Sequence, residues 1–147
     1  MLTTEQAKVH CRMINSAEEF VRLRTSEDPE EYRRAANDEA TIEVWQEVIR
    51  RFPDMKQWVI HNKQIQLEVL EAMARDPSAS IRSRVADKRK LGAQLFDALS
   101  RDADEGVRAR IAWNQKVPVE ILQRLMGDEA ELVRQAAAAH LARLTEG

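Results

Sequence analysis

Cysteine, glycine, proline and aromatic residues are all scarce in this chain, and the shortage excludes several kinds of site. The one cysteine, Cys11, among 147 residues excludes an intramolecular disulfide, a Cys-rich zinc site and a Cys-ligated iron–sulfur cluster. No stretch approaches the roughly 18 consecutive apolar residues that would cross a membrane. The opening MLTTEQAKVHCRM also lacks the basic start and apolar run of a secretory signal. We therefore expect a reduced, cytoplasmic setting.

The residues that are present predict an all-helical soluble protein. Only four glycines, four prolines and one tyrosine occur, whereas Ala, Leu, Glu, Arg and Gln are abundant and 33% of the residues are charged. A length near 150 residues argues for one domain whose core needs no disulfide or metal to support it. The formal net charge is only −2.

A repeat of 26 residues dominates the second half of the sequence, where it carries Asp76 to Asp102 and Asp128. The same period relates Ile81, Val107 and Val133; Arg82, Arg108 and Arg134; Val85, Ile111 and Ala137; Leu95 and Ile121; and Leu99 and Leu125. A unit this short cannot bury its own apolar face, so neighbouring units must stack and share a core. The predicted fold is an all-α solenoid, a superhelical stack of short helix pairs.

Each unit is expected to hold two helices, A and B. In the best-defined unit, helix A is predicted over Glu105–Trp113, where the apolar residues share one face. Asn114 follows, a residue that tolerates the left-handed conformation in which many helices end. Pro118 is expected in the first turn of helix B, which needs no N–H there, and helix B is expected to stop at Gly127.

One domain is predicted over residues 1–147. Its segments are N-terminal capping helices over 1–27, a divergent repeat over 28–52, repeats over 53–75, 76–101 and 102–127, and a C-terminal capping helix over 128–147. Within the first segment, Ser16 and Glu19 form a capping box that opens a helix ending near Thr25. A further helix is predicted over Thr4–Ile14.

Two consecutive units, DPSASIRSRVADKRKLGAQLFDALSRD and DADEGVRARIAWNQKVPVEILQRLMGD, resemble HEAT-like repeats, especially the leucine-rich repeat variant. That pattern has an Asp, then Val-Arg, a short helix ending near Asn, a Pro and a leucine-bearing second helix. The resemblance covers residues 50–147 well and 28–50 loosely. It implies the stacked architecture and no particular function. Some variant-repeat proteins carry an N-terminal cysteine cluster for an iron–sulfur centre, which a chain with only Cys11 cannot provide.

An aspartate and an arginine recur six residues apart in each unit, and we call these residues the Asp–Arg ladder: Asp76, Arg82, Asp102, Arg108, Asp128 and Arg134. In HEAT-like repeats, similar pairs join neighbouring units. A carboxylate at a helix start can cap N–H groups and receive an arginine fork from the adjacent unit. Three acid–base pairs for catalysis are the alternative. The regular recurrence favours the structural role, because a catalytic group is needed once.

Basic residues are concentrated in the middle of the chain. Residues 48–116 hold fourteen bases and nine acids, whereas residues 17–47 hold four bases and ten acids. Stacking would gather the bases into a stripe along one edge, suited to an acidic protein or a phosphate backbone. An ordinary solvated face, partly neutralised by Asp87 and Asp104, is the alternative. The pI near 6.0 favours an acidic protein over nucleic acid.

The three tryptophans are expected in different environments, because Trp58 and Trp113 fall on A helices and Trp45 on a helix B. Trp45 aligns with a helix B core position. Trp113 aligns with His61 and Asp87 at equivalent positions of the repeat. Equivalent positions in a core stay apolar, and these three do not, so we expect this position to be partly exposed. Trp113 is then either a binding anchor or a ring lying over the loop of its own unit. The candidate partner-binding residues are Trp58, His61, Arg84, Lys88, Arg89, Arg110, Trp113 and Lys116.

No catalytic, cofactor or metal site is predicted. Gly-rich phosphate loops, GxSxG and HExxH are absent from the sequence, and His10, His61 and His140 show no ligand spacing. The predicted function is a non-enzymatic protein–protein interaction module, such as a bacterial adaptor or immunity protein. Alternatives are a nucleic-acid binder similar to HEAT-like DNA glycosylases and a self-assembling scaffold. The chain is expected to be a monomer or a weak dimer through its C-terminal helix.

Overall fold

A computed structural model describes residues 13–146, and this part of the chain is all-helical. The first helices are α1 (Ala17–Arg24), α2 (Pro29–Asn37), α3 (Ile42–Arg51), a 3₁₀ turn (Pro53–Met55), α4 (Lys56–His61) and α5 (Leu67–Met73). They are followed by α6 (Ala79–Ala86), α7 (Gly92–Ser100), α8 (Glu105–Trp113), α9 (Val119–Leu125) and α10 (Glu131–Glu146). The predicted all-α class is confirmed.

The chain divides into two compact units, with the boundary inside α5 between Val69 and Leu70. In the first unit, the Phe20 and Trp45 rings meet edge to face with centroids 5.2 Å apart. Both side chains are fully buried. The prediction that Trp45 belongs to the core is therefore confirmed.

The start of the first unit matches the predicted capping box in part. The Glu19 N–H donates to Ser16 Oγ over 3.0 Å, and the helix ends at Arg24, next to the predicted limit. The helix predicted over Thr4–Ile14 lies outside the described residues except at its last two positions. There, the Ile14 N–H donates to the Glu39 carbonyl over 2.8 Å, so these two positions pair with an extended segment and are not helical.

In the second unit, α6, α8 and α10 begin 26 residues apart, the period of the sequence repeat. Helix α8 packs between α6 and α10, and α7 and α9 also contact it. Val107, Ile111 and Val133 are fully buried in these contacts. Ile81, at the position equivalent to Val107, is only partly buried.

Asn114 ends α8 in an extended conformation (φ −63°, ψ 130°), so the prediction of a left-handed end is wrong. Among residues 13–146, no residue other than glycine has a positive φ. The side chain explains the difference. Its Nδ2 donates to the Ala86 carbonyl over 2.8 Å and to the Lys88 carbonyl over 2.7 Å, and its Oδ1 accepts the Lys116 N–H over 2.9 Å. Asn114 therefore joins two helix ends, which needs no special backbone conformation.

Equivalent bonds recur at two other positions, and we call Asn62, Asn114 and His140 the amide column. Asn62 Nδ2 donates to the Ala35 and Asp38 carbonyls, each over 2.9 Å. His140 Nδ1 lies 2.7 Å from the Ala112 carbonyl, and because a carbonyl can only accept, that nitrogen carries the proton. Each member bonds a carbonyl near the end of an earlier helix.

Two helix limits in the structure differ from the predicted ones by one or two residues. Pro118 is the N-cap of α9 rather than a member of its first turn, and its carbonyl accepts the Ile121 N–H over 3.0 Å. Helix α9 ends at Leu125, before Gly127. Proline at the cap has the same physical basis as proline in the first turn, since neither position has an intrahelical acceptor for its N–H.

Candidate protein-interaction surface

The Asp–Arg ladder joins consecutive repeats of the second unit. Arg82 Nε donates to Asp102 Oδ2 over 2.9 Å, and Nη2 donates to Oδ1 over 3.2 Å. The third nitrogen, Nη1, donates to the Asp76 backbone carbonyl over 2.8 Å. The aspartate six residues earlier therefore contributes its carbonyl, while the aspartate 20 residues later contributes its carboxylate.

The same geometry recurs one period later, at Arg108. Its fork donates to the Asp128 carboxylate over 2.9 and 3.1 Å, and Nη1 donates to the Asp102 carbonyl over 2.8 Å. Arg108 is only 7% exposed. Arg134 makes the corresponding bond to the Asp128 carbonyl over 2.7 Å. Both arginine forks are engaged by the chain itself, which favours the structural role over catalysis.

The ladder carboxylates do not cap the helices, contrary to expectation. Asp102 Oδ1 accepts the Asp104 N–H over 2.9 Å, and this bond closes the turn before α8. The cap is Asp104 itself, whose Oδ1 accepts the Val107 N–H over 3.1 Å. Ser78 caps α6 in the same way. Sequence reasoning missed both caps, although each stands three residues before an apolar position of the repeat.

Asp128 gives the ladder a pH dependence. Burial alone would raise the pKa of this carboxyl, but hydrogen bonds from Arg108 and the Ala130 N–H lower the pKa by more. The net pKa therefore lies below the usual value. Ionised Asp128 stabilises the fold above the unfolded-state pKa of about 3.9, and this contribution is lost as the pH falls through the folded-state pKa.

We expect the free energy of unfolding to fall between pH 6 and pH 2.5, and to fall less in Asp128→Asn than in the parent protein. Asparagine keeps the size of the side chain but cannot titrate. Urea unfolding followed by circular dichroism at a series of pH values measures both slopes. Equal slopes in the two proteins would contradict this assignment.

Trp113 ends α8 with 46% of its surface exposed, as predicted for its column. Its ring stacks on that of His140 from α10, with centroids 6.2 Å apart and planes inclined by 21°. One turn earlier on α8, Arg110 Nη1 donates to Asp87 Oδ2 over 2.8 Å. Trp113, Arg110 and Asp87 border a shallow depression of about 160 Å³, which we call the rim depression. Its lining residues are Asp87, Arg89, Arg110, Trp113, Asn114 and Gln115.

The structure brings three of the eight candidate residues, Arg89, Arg110 and Trp113, into the rim depression. Lys88 is half-buried beside it, and burial lowers the pKa of its ammonium group. Arg84 and Lys116 are exposed but do not line the depression. The direct partner of Arg110 is Asp87, which the sequence showed only as a neutralising charge.

Trp58 and His61 belong to the other compact unit. The Arg24 guanidinium lies 3.4 Å from the centroid of the Trp58 ring and 4.5 Å from that of Tyr32. The His61 ring meets Trp58 edge to face, with centroids 5.9 Å apart. Trp58 is half-buried and its face is covered by the chain's own arginine, so it is a weaker anchor than Trp113. No local pattern signals this, because Arg24 lies in α1, three helices earlier in the chain.

Helix α10 carries exposed apolar side chains. Leu132 is 53% and Leu144 is 51% exposed. Ala138 is exposed, whereas its equivalents Ala86 and Ala112 are fully buried. Weak dimerisation through this helix stays a prediction.

Among residues 13–146, no group of three or more His, Cys, Asp or Glu side chains is placed to hold a metal ion. None of the described helices combines the length and the apolar character needed to cross a bilayer.

No protein-family model, curated protein or solved structure matches the chain.

Proposed function

We propose that this protein is a non-enzymatic interaction module, a HEAT-like α-solenoid whose rim depression binds an acidic segment of a partner protein. One observation carries the proposal: an exposed tryptophan, Trp113, stands beside two arginines in a single depression. The recurrence of the ladder and amide-column bonds at the sequence period supports the solenoid architecture.

The charges of the rim depression favour an acidic partner. Arg89 and Arg110 line it, and 57% of the Arg110 side chain is exposed. The pair of Arg110 with Asp87 is itself exposed, so it contributes no more than about 1 kcal/mol. Asp87 accepts from one terminal nitrogen of Arg110. A guanidinium has five N–H donors, which leaves donors for an incoming carboxylate.

The aromatic side of the depression is held in place before any partner arrives. Trp113 rests on His140, and the His140 ring is fixed by the Ala112 carbonyl. A ring that is already ordered loses little conformational entropy on binding. Aromatic and arginine side chains also contribute most to protein interfaces. Trp113 is therefore the expected anchor of the interaction.

Asn114 links the two walls of the rim depression. It stands at the end of α8, next to Trp113, and bonds the carbonyls of Ala86 and Lys88. The segment that carries Asp87 and Arg89 is thereby held at a fixed distance from Trp113. Such preorganisation favours specific over loose electrostatic binding.

The test is affinity capture of a partner at physiological salt, followed by calorimetric titration of the purified partner. Trp113→Ala and Arg110→Glu are each expected to weaken binding by at least about tenfold, the loss typical of an interface hot spot. Arg33→Glu is the matched control, since Arg33 is an exposed arginine of α2, and its dissociation constant should stay within twofold of the parent's.

Two outcomes would overturn the proposal. The first is a dissociation constant that neither rim variant changes, which would place the interface elsewhere. The second is retardation of duplex DNA in a gel at moderate salt that Arg110→Glu abolishes, which would favour the nucleic-acid alternative.

A further inference from the structure

The side chain of Arg124 joins helices α7 and α9. From α9 it reaches back to α7, where Nη2 donates to the Ser100 hydroxyl and lies 3.6 Å from Asp97 Oδ1. Asp97 also receives Arg101, at 3.3 Å. The Asp97 carboxylate therefore has two guanidinium groups within ion-pair distance, and it accepts hydrogen bonds from Arg101.

One period earlier, the arginine of this arrangement and its hydrogen-bond acceptor Ser100 are both replaced by alanine, at Ala98 and Ala74, but the carboxylate is retained. Ala98 occupies the position of Arg124, and Glu71 occupies the position of Asp97. A cavity of about 330 Å³ opens there, lined by both of these residues together with Ala74, Leu95 and Leu99. The cavity lies where an arginine side chain would lie if the earlier repeat matched the later one.

The charges around the cavity leave Glu71 available. Asp102, which also lines the cavity, is already engaged by the Arg82 fork. Within residues 13–146, no cation lies within ion-pair distance of the Glu71 carboxylate. Arg75, a cation of the lining, is equivalent to Arg101. Because Arg101 and Arg124 both lie within ion-pair distance of Asp97, the presence of Arg75 is compatible with a second guanidinium at Glu71.

The apolar part of the cavity suits the stem of the same side chain. Leu95 and Leu99, which are 7% and 2% exposed, supply apolar surface to the lining, whereas the lining residues Glu71 and Ala98 are exposed. Arginine buries its methylene groups along apolar surface while its head stays with a carboxylate. Its planar fork matches a carboxylate better than a lysine ammonium does.

We infer that this cavity is a binding site for an arginine side chain presented by a partner protein, with the guanidinium on Glu71 and the stem on Leu95 and Leu99. The bound arginine takes the place that Arg124 occupies in the following repeat. The site is formed by α7 and the end of α5, shares no residue with the rim depression, and does not depend on the function proposed there.

The experiment is an NMR titration of the full-length protein with the peptide acetyl-Ala-Ala-Arg-Ala-Ala-amide. Saturable shifts are expected at the amides of Glu71, Ala74 and Ala98. The peptide with citrulline in place of arginine has the same shape without the charge, and it should bind at least about tenfold more weakly. A lysine peptide should fall between the two.

Two variants test the assignment to this cavity. Glu71→Gln removes the acceptor charge from an exposed side chain, and Ala98→Arg places an arginine of the chain itself at the cavity, at the position equivalent to Arg124. Both should weaken binding of the arginine peptide at least tenfold while leaving the unfolding midpoint no lower than the parent's. Arg110→Glu, in the rim depression, should change this binding less than twofold.

The inference is overturned if the citrulline peptide binds as tightly as the arginine peptide, if Glu71→Gln binds within twofold of the parent, or if the shifts do not saturate at the cavity. Arg110→Glu affects only the rim depression and Glu71→Gln only this cavity. The two variants therefore distinguish an error in the proposed function from an error in this inference.

Discussion

Replacing Arg108 by alanine is expected to lower the free energy of unfolding by about 3 kcal/mol, the lower end of the range for breaking a buried ion pair. Arg108 is 7% exposed and bonds the Asp128 carboxylate and the Asp102 carbonyl. Its loss leaves a mostly buried carboxylate without its cation and a carbonyl without its donor. Urea unfolding at pH 7, followed by circular dichroism, measures the change.

Arg101→Ala is the matched control. Arg101 also pairs with an aspartate, Asp97, but both side chains are more than half exposed, so the expected cost is at most about 0.5 kcal/mol. The double variant Arg108→Met with Asp128→Asn should recover part of the loss, because it removes the unpaired charge while keeping an acceptor for the Ala130 N–H. A cost for Arg108→Ala no larger than that of the control would show that the ladder does not stabilise the fold.

Asn114→Ala is expected to cost about 2–3 kcal/mol, because an unsatisfied buried polar group costs on the order of 1–3 kcal/mol. Asn114 is 5% exposed, and its amide satisfies the Ala86 and Lys88 carbonyls and the Lys116 N–H. Alanine can satisfy none of them. Urea unfolding gives the cost, and amide hydrogen exchange should show faster opening at Lys88 and Lys116.

The neighbouring residue supplies the control for this prediction. Gln115 is exposed, and Gln115→Ala should change stability by less than about 0.5 kcal/mol. Asn114→His should retain more stability than Asn114→Ala, because His140 makes the equivalent bond to the Ala112 carbonyl. If Asn114→Ala and Gln115→Ala unfold at the same urea concentration, the side-chain hydrogen bonds of Asn114 do not contribute to the free energy of unfolding.

The features that follow from local periodicity were predictable from the sequence. Helix α8 has the predicted limits, Glu105–Trp113, because its apolar spacing and its flanking residues are both local signals. The burial of Trp45 and the exposure of Trp113 followed from comparing equivalent positions. A repeat position that is apolar in every unit packs in the core, whereas a position that is apolar in one unit and polar in another does not.

The features that the sequence did not reveal depend on contacts between distant residues. The sequence predicts that α8 ends at Asn114 but not that its side chain bonds the Ala86 and Lys88 carbonyls, because these lie 28 and 26 residues earlier. The partner of Arg110 lies 23 residues earlier. The missing arginine at Ala98 becomes informative only when the cavity beside it is seen. A repeat period identifies equivalent positions, but it does not tell which atoms meet between units.

The cross-links of the second unit also bear on how the chain reaches its folded state. The arginine–carboxylate pairs of the ladder join residues 20 apart, and the bonds of Asn114 and His140 in the amide column join residues 26 to 28 apart. Closing loops of that length costs little chain entropy, and topologies built from such contacts fold rapidly. Each helix pair can dock as soon as its neighbour has formed, so packed structure can grow stepwise from either side of a nucleus instead of waiting for distant ends to meet.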